Sequence, residues 1–80
     1  MEKSLFSKAY TSFLRLLRAA RKKAGLTQVE LAQRLHETQS FVSKCERGER
    51  RIDVVELRAF CKAIGVSFTE FARRLDRELD

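Results

Sequence analysis

The 80-residue sequence predicts an all-α domain of five helices, and three observations carry that prediction. No segment alternates apolar and polar residues at period two over a useful length, so strands are not expected. Thr27 with Glu30, Asp53 with Glu56 and Ser67 with Glu70 each place a polar cap three residues before a Glu, the signature of a helix start. Gly25, Gly48 and Gly65 each follow a helical pattern, where a left-handed terminating residue belongs. Caps and glycines agree, and they set helices at about 4–23, 27–35, 39–47, 53–64 and 68–79.

Taken in order, the first helix is longer and more apolar than one core requires. Leu14, Leu17, Ala20 and Ala24 cover the two central helices, while Leu5, Phe6, Ala9, Tyr10 and Phe13 add a second apolar surface upstream. That surface packs on the fifth helix or meets another chain, and the pattern leaves both open. The second helix starts at Thr27, with Leu26 and Leu31 spaced as a hydrophobic staple. The third follows a three-residue turn and ends at Gly48. The fourth buries a stripe of Val54, Leu57, Phe60, Cys61 and Ile64, and the fifth a stripe of Phe68, Phe71, Ala72, Leu75 and Leu79. Residues 1–80 thus form a single domain, with 1–13 an N-terminal extension of the first helix, 27–47 a helix-turn-helix and 53–80 the C-terminal helices. Phe6, Tyr10, Phe13, Phe71, Leu75 and Leu79 are the candidate contacts of a homodimer.

Composition narrows the function. No apolar run approaches the roughly 20 residues that span a bilayer, and Met1-Glu-Lys-Ser lacks a signal-peptide core, so a soluble cytoplasmic protein is expected. Net charge is +6 and is polarised: +6 within residues 1–26, +1 within 27–52 and −1 within 53–80. Such polarity fits a polyanionic partner, although a solvated basic surface accounts for it equally well. Cys45 and Cys61 match no zinc or redox spacing and lie on apolar faces, which makes them reduced core residues. With one His, no nucleophile elbow, no Gly-rich phosphate loop and no metal-ligand spacing, nothing carries catalysis, and no cofactor, metal or small-molecule ligand is indicated.

The segment Leu26–Gly48 is the informative one. Winding residues 39–47 at about 100° per residue turns Phe41, Val42 and Cys45 inward and Gln39, Ser40, Ser43, Lys44 and Arg47 outward. The outer face carries amide, hydroxyl and cationic groups and no carboxylate. Gln pairs with adenine, Lys donates to guanine and Ser serves either, so Gln39, Ser40, Ser43 and Lys44 are candidate base readers in a double-stranded DNA major groove. Thr27 and Gln28 open the bracing helix, whose free amides favour phosphate, and Arg47, Arg50 and Arg51 flank the reading helix as backbone contacts. Lys22 and Lys23 are weaker candidates, since a solvated helix end explains them. Glu46 falls at the edge of the buried sector and needs a cationic partner, for which Arg21 is the candidate.

Gly25-Leu-Thr-Gln-x-x-Leu-Ala, Gln39-Ser-x-Val-Ser-Lys-x-Glu-Arg-Gly48, Leu57 and Ile64-Gly-Val, all in register, resemble the phage-repressor (Cro-like, XRE) helix-turn-helix family over roughly residues 14–71. The resemblance implies a five-helix DNA-binding regulator that binds operators as a dimer, base contacts at Gln39, Ser40, Ser43 and Lys44, a phosphate clamp at Gln28 and a buried Arg21–Glu46 pair. Two positions depart from the pattern. His36 stands where the family has a turn Gly, and Ile52 where a Pro is common, which implies a freer loop. The competing function is a protein-interaction module, an antitoxin-like or adaptor domain, motivated by the surplus apolar surface of the first and fifth helices.

Overall fold

The computed structural model describes residues 7–80. It contains α1 (Lys8–Lys23), α2 (Gln28–Leu35), α3 (Gln39–Arg47), α4 (Val54–Ile64) and α5 (Phe68–Leu79), with no strand among the described residues. The five expected helices are present. The expected start of the first near residue 4 falls partly outside the described residues, and within them α1 begins at Lys8. Ser7 is extended (φ −65°, ψ 157°) and its hydroxyl accepts from the Tyr10 amide.

Local chemistry closes each helix. Thr27 and Asp53 form reciprocal capping boxes with Glu30 and Glu56, satisfying two otherwise orphaned amides at each helix start. Ser67 caps the Glu70 amide, but the Glu70 carboxylate turns instead to Arg73. Leu26 and Leu31, the expected staple, are both buried. Between α2 and α3 the chain reverses through His36, whose φ of 59° and ψ of 40° are left-handed. The turn therefore keeps the geometry of a glycine with a residue that has a Cβ, at a cost of about 1–2 kcal/mol.

The core gathers one stripe from every helix. Leu17, Leu31, Val42, Cys45, Phe60 and Cys61 are almost wholly excluded from solvent, with Phe13, Leu14, Ile64 and Phe71 around them. α2 packs on α3 and α4, while α1 packs on α3 and α5. Both thiols lie buried and unpaired, and burial pushes each above the ordinary cysteine range. On α1, Phe13 meets Phe71 edge-to-face at 6.1 Å, so this part of the upstream apolar surface packs within the chain, while Ala9 is exposed and Leu5 and Phe6 lie outside the described residues.

Several residues expected in the core are outside it. Val54 is 65% exposed, because it opens α4 where no neighbouring helix covers it. Ala24 caps the exposed end of α1. On α5 only Phe71 is buried; Phe68 and Leu75 are half-buried, while Ala72 and Leu79 face solvent. The α5 stripe is wider than α1 and α4 can cover. Among the described residues, no helix is long and apolar enough to cross a membrane.

Candidate nucleic-acid interface

α3 is held from behind and presents its front. Val42, Cys45 and Glu46 are buried, whereas Gln39, Ser40 and Lys44 are exposed and Ser43 is half-buried. α3 itself therefore contributes no carboxylate to the front face, its one acidic residue, Glu46, being buried. Thr38 caps α3 through the Phe41 amide.

Behind it lies a buried ion pair. Arg21 Nε donates to Glu46 Oε2 at 2.6 Å and Nη2 to Oε1 at 3.0 Å, while Nη1 donates to the Leu26 carbonyl at 2.8 Å. The fork engages both carboxylate oxygens, and the third bond ties α1 and α3 to the chain entering α2. Glu46 Oε1 also accepts from Gln28 Nε2 at 3.0 Å, and Gln28 Oε1 accepts from Gln39 Nε2 at 3.4 Å. A chain of polar contacts thus runs from the core ion pair, through the bracing helix, to the first residue of α3. Gln28, expected to clamp phosphate, is the connecting piece of that chain.

The flanking cations already have partners. Arg47 donates to Ser43 Oγ and to Glu49, which its guanidinium holds below the usual carboxylate range. Arg50 forks onto Glu56 at 3.0 and 2.8 Å, donates to the Arg51 carbonyl and lies 4.8 Å over the Phe41 ring. Arg51 stacks 4.4 Å over Tyr10. At the start of α2 the Thr27 amide donates to the Glu30 carboxylate and the Glu30 amide to the Thr27 hydroxyl, so two of its free donors are taken by the chain itself.

Tyr10 also accepts from the Ile52 amide at 3.2 Å. The loop expected to be freer for lacking Pro is instead pinned, through the N–H that Pro would not have. This revises the expected dimer contacts. Tyr10 holds the α3–α4 loop, Phe13 and Phe71 lie in the core, and Phe6 lies outside the described residues. Leu75 remains half-buried and Leu79 46% exposed; beside them the sequence reading missed Val54 and Val55, the latter 74% exposed. Val54, Leu57, Leu75 and Leu79 line one continuous groove between α4 and α5.

A second omission is Arg18. It lies one turn before Lys22 on α1 and lines a recess that also reaches Ser43 and Arg47 on α3. The signal was present in the spacing. Arg21 must face Glu46, so Arg18 and Lys22, three before and one after it, flank α3.

Comparison with known proteins agrees with this geometry. Residues 17–71 match the helix-turn-helix family. The chain is 38% identical over 56 residues to an uncharacterized HTH-type transcriptional regulator, y4dJ, of Sinorhizobium fredii, covering 70% of this chain and 73% of that protein. Among solved structures it is similar to an XRE-family like protein from Pseudomonas syringae pv. tomato, with 43% identity, a TM-score of 0.89 and coverage of 99% and 96% of the two chains. It is also similar to a mutant of the restriction-modification controller protein C.Esp1396I, with 25% identity, a TM-score of 0.83 and coverage of 91% and 97%.

Proposed function

The chain belongs to the XRE-type helix-turn-helix family of DNA-binding regulators, and on that premise we propose that it is a dimeric repressor reading the major groove of a palindromic operator. The observation that carries this reading is the exposed front of α3, to which the helix contributes no carboxylate, above a satisfied polar anchor. Gln39, Ser40, Ser43 and Lys44 read base edges there. Thr27, Gln28, Arg47, Arg50 and Arg51 engage the backbone. For Gln28, Arg47 and Arg50 that means sharing or exchanging a present partner for phosphate, while Arg51 keeps its face on Tyr10 and offers its edge. The Arg47–Glu49 pair is exposed on both sides and worth little, so a phosphate competes readily for Arg47, whereas the Arg50 fork on half-buried Glu56 is held more firmly.

A second copy seats on the apolar surface of Val54, Leu57, Leu75 and Leu79. Two copies set their α3 helices about 34 Å apart, one turn of duplex, which makes the preferred site a near-palindrome. The alternative, an antitoxin-like or adaptor module, assigns the same surface to a different protein.

Selection of bound duplexes from a random pool tests the reading. Enrichment of one motif with two-fold symmetry is expected, with affinity falling steeply as salt rises. A pool that emerges unenriched would falsify it. Sedimentation separates the two partners: a homodimer occupies the apolar surface, and a clean monomer leaves it for another protein.

A further inference from the structure

We propose that the recess between the second half of α1, the start of α2 and α3 seats one phosphodiester of the DNA backbone, with Arg18 as its principal donor. The proposal rests on the DNA-binding reading and adds to it a contact from α1, outside the helix-turn-helix itself.

Three observations converge. First, the recess is built from three elements: Arg18 and Lys22 from α1, Gln28 from α2, and Ser43 and Arg47 from α3. Its floor is the Arg21–Glu46 pair. Second, its charge is cationic after internal pairing. Arg21 neutralises Glu46, and Arg47 is matched by Glu49, which leaves the charges of Arg18 and Lys22. Neither has a salt-bridge partner among the described residues. The floor is also short of free acceptors, since Glu46 is already bonded by Arg21 and Gln28. An anion entering from solvent therefore meets donors.

Third, helix electrostatics explain Lys22 but not Arg18. Arg21, Lys22 and Lys23 fill the last turn of α1, where the helix dipole favours cations. Arg18 lies a turn further in, where that benefit has faded, and as an i,i+4 pair of like charges Arg18 and Lys22 repel. An anion between them turns that repulsion into a clamp. Ser43 belongs both to this recess and to the front of α3, so the seat is continuous with the reading surface. A phosphate held there fixes how deeply and at what angle α3 enters the groove, without itself reading sequence.

The test compares the full chain with Arg18→Ala, Arg18→Lys and, as a control for bulk charge, Lys62→Ala, an exposed residue of α4 that does not line the recess. Each is titrated with a selected duplex and a scrambled one across roughly 50–200 mM salt. Arg18 is exposed, so circular dichroism should show all variants folded. Arg18→Ala should weaken both duplexes by the same factor and lower the slope of log affinity against log salt by about 0.9, so that its deficit shrinks about 3-fold across that range. Arg18→Lys should keep the wild-type slope, and Lys62→Ala should leave it within error. A neutral methylphosphonate placed at each backbone position in turn should find one position per half-site that weakens wild type but not Arg18→Ala. Equal slopes for Arg18→Ala and wild type, or no such position, overturn the proposal. If wild type binds both duplexes equally, sequence-specific reading fails, while the seat is still judged by its slope.

Discussion

At the scale of single residues, the anchor of the reading helix is the most exposed to loss. Glu46 is 3% and Arg21 6% exposed, so removing either strands its partner's charge away from water. Glu46→Ala should therefore cost about 3–5 kcal/mol in urea unfolding, most of the stability a domain of this size possesses. His36 acts in the opposite direction. Its left-handed backbone suits glycine, so His36→Gly should raise stability by about 0.5–1 kcal/mol after the entropy glycine adds to the unfolded chain. A fall in the urea midpoint would show that the imidazole contributes more than its backbone costs. On the front of α3, Lys44→Ala should lose about 1–3 kcal/mol of discrimination between selected and single-base-changed duplexes while leaving the unfolding midpoint unchanged. Uniform weakening of all duplexes would instead make Lys44 a backbone contact.

At the scale of elements, α4 begins with a coupled device: Glu56 completes the Asp53 capping box and holds the Arg50 fork. The fork and the Asp53 amide keep its carboxyl below the usual carboxylate range. A depressed folded value means stability present above the ordinary carboxylate pKa and lost as pH falls through and below it. Glu56→Gln keeps an oxygen for the cap but no charge for Arg50. Its thermal midpoint should lie below wild type at pH 7, and the gap should close below about pH 4.5. A gap constant from pH 7 to pH 3 would mean that the cap alone matters. This element also shows what was legible in the sequence. The Asp53 and Thr27 boxes could be read because cap and Glu are three residues apart and need no tertiary partner. Ser7 and Thr38 cap just as directly, but Tyr10 and Phe41 occupy the third position, and no Glu marks them. Val54 fitted the helical stripe, yet periodicity fixes only which way a side chain points, not whether another helix waits there. The front of α3 and the Arg21–Glu46 pair were legible because geometry within one helix decided which groups face out and which need partners. The partners of Arg51 and Ile52 were not, since Tyr10 lies 42 residues from Ile52.

At the scale of the whole molecule, the cationic recess is built by α1, α2 and α3, while the uncovered apolar groove lies between α4 and α5. The recess uses the second half of α1, whereas the groove reaches only the first half of that helix, at Tyr10 and Phe13, so on the proposed reading one copy meets DNA and a second copy on separate faces. Val54 tests this arrangement cleanly. It is 65% exposed, lines the groove, and opens α4, where a carboxylate suits the helix dipole. Val54→Asp should therefore fold as well as wild type while placing an unpartnered charge in the apolar seat. By sedimentation, wild type should run at twice the 9.3 kDa of one chain and Val54→Asp at the single-chain mass. Tethering two readers makes the second binding event intramolecular, which is worth about 10²–10⁴ in affinity on a two-half-site duplex. Val54→Asp should lose that factor on the full site and almost nothing on an isolated half-site, because α3 and its anchor are untouched. Equal losses on both duplexes would place Val54 in the DNA contact instead. A dimer that survives the substitution would put the second copy on another face.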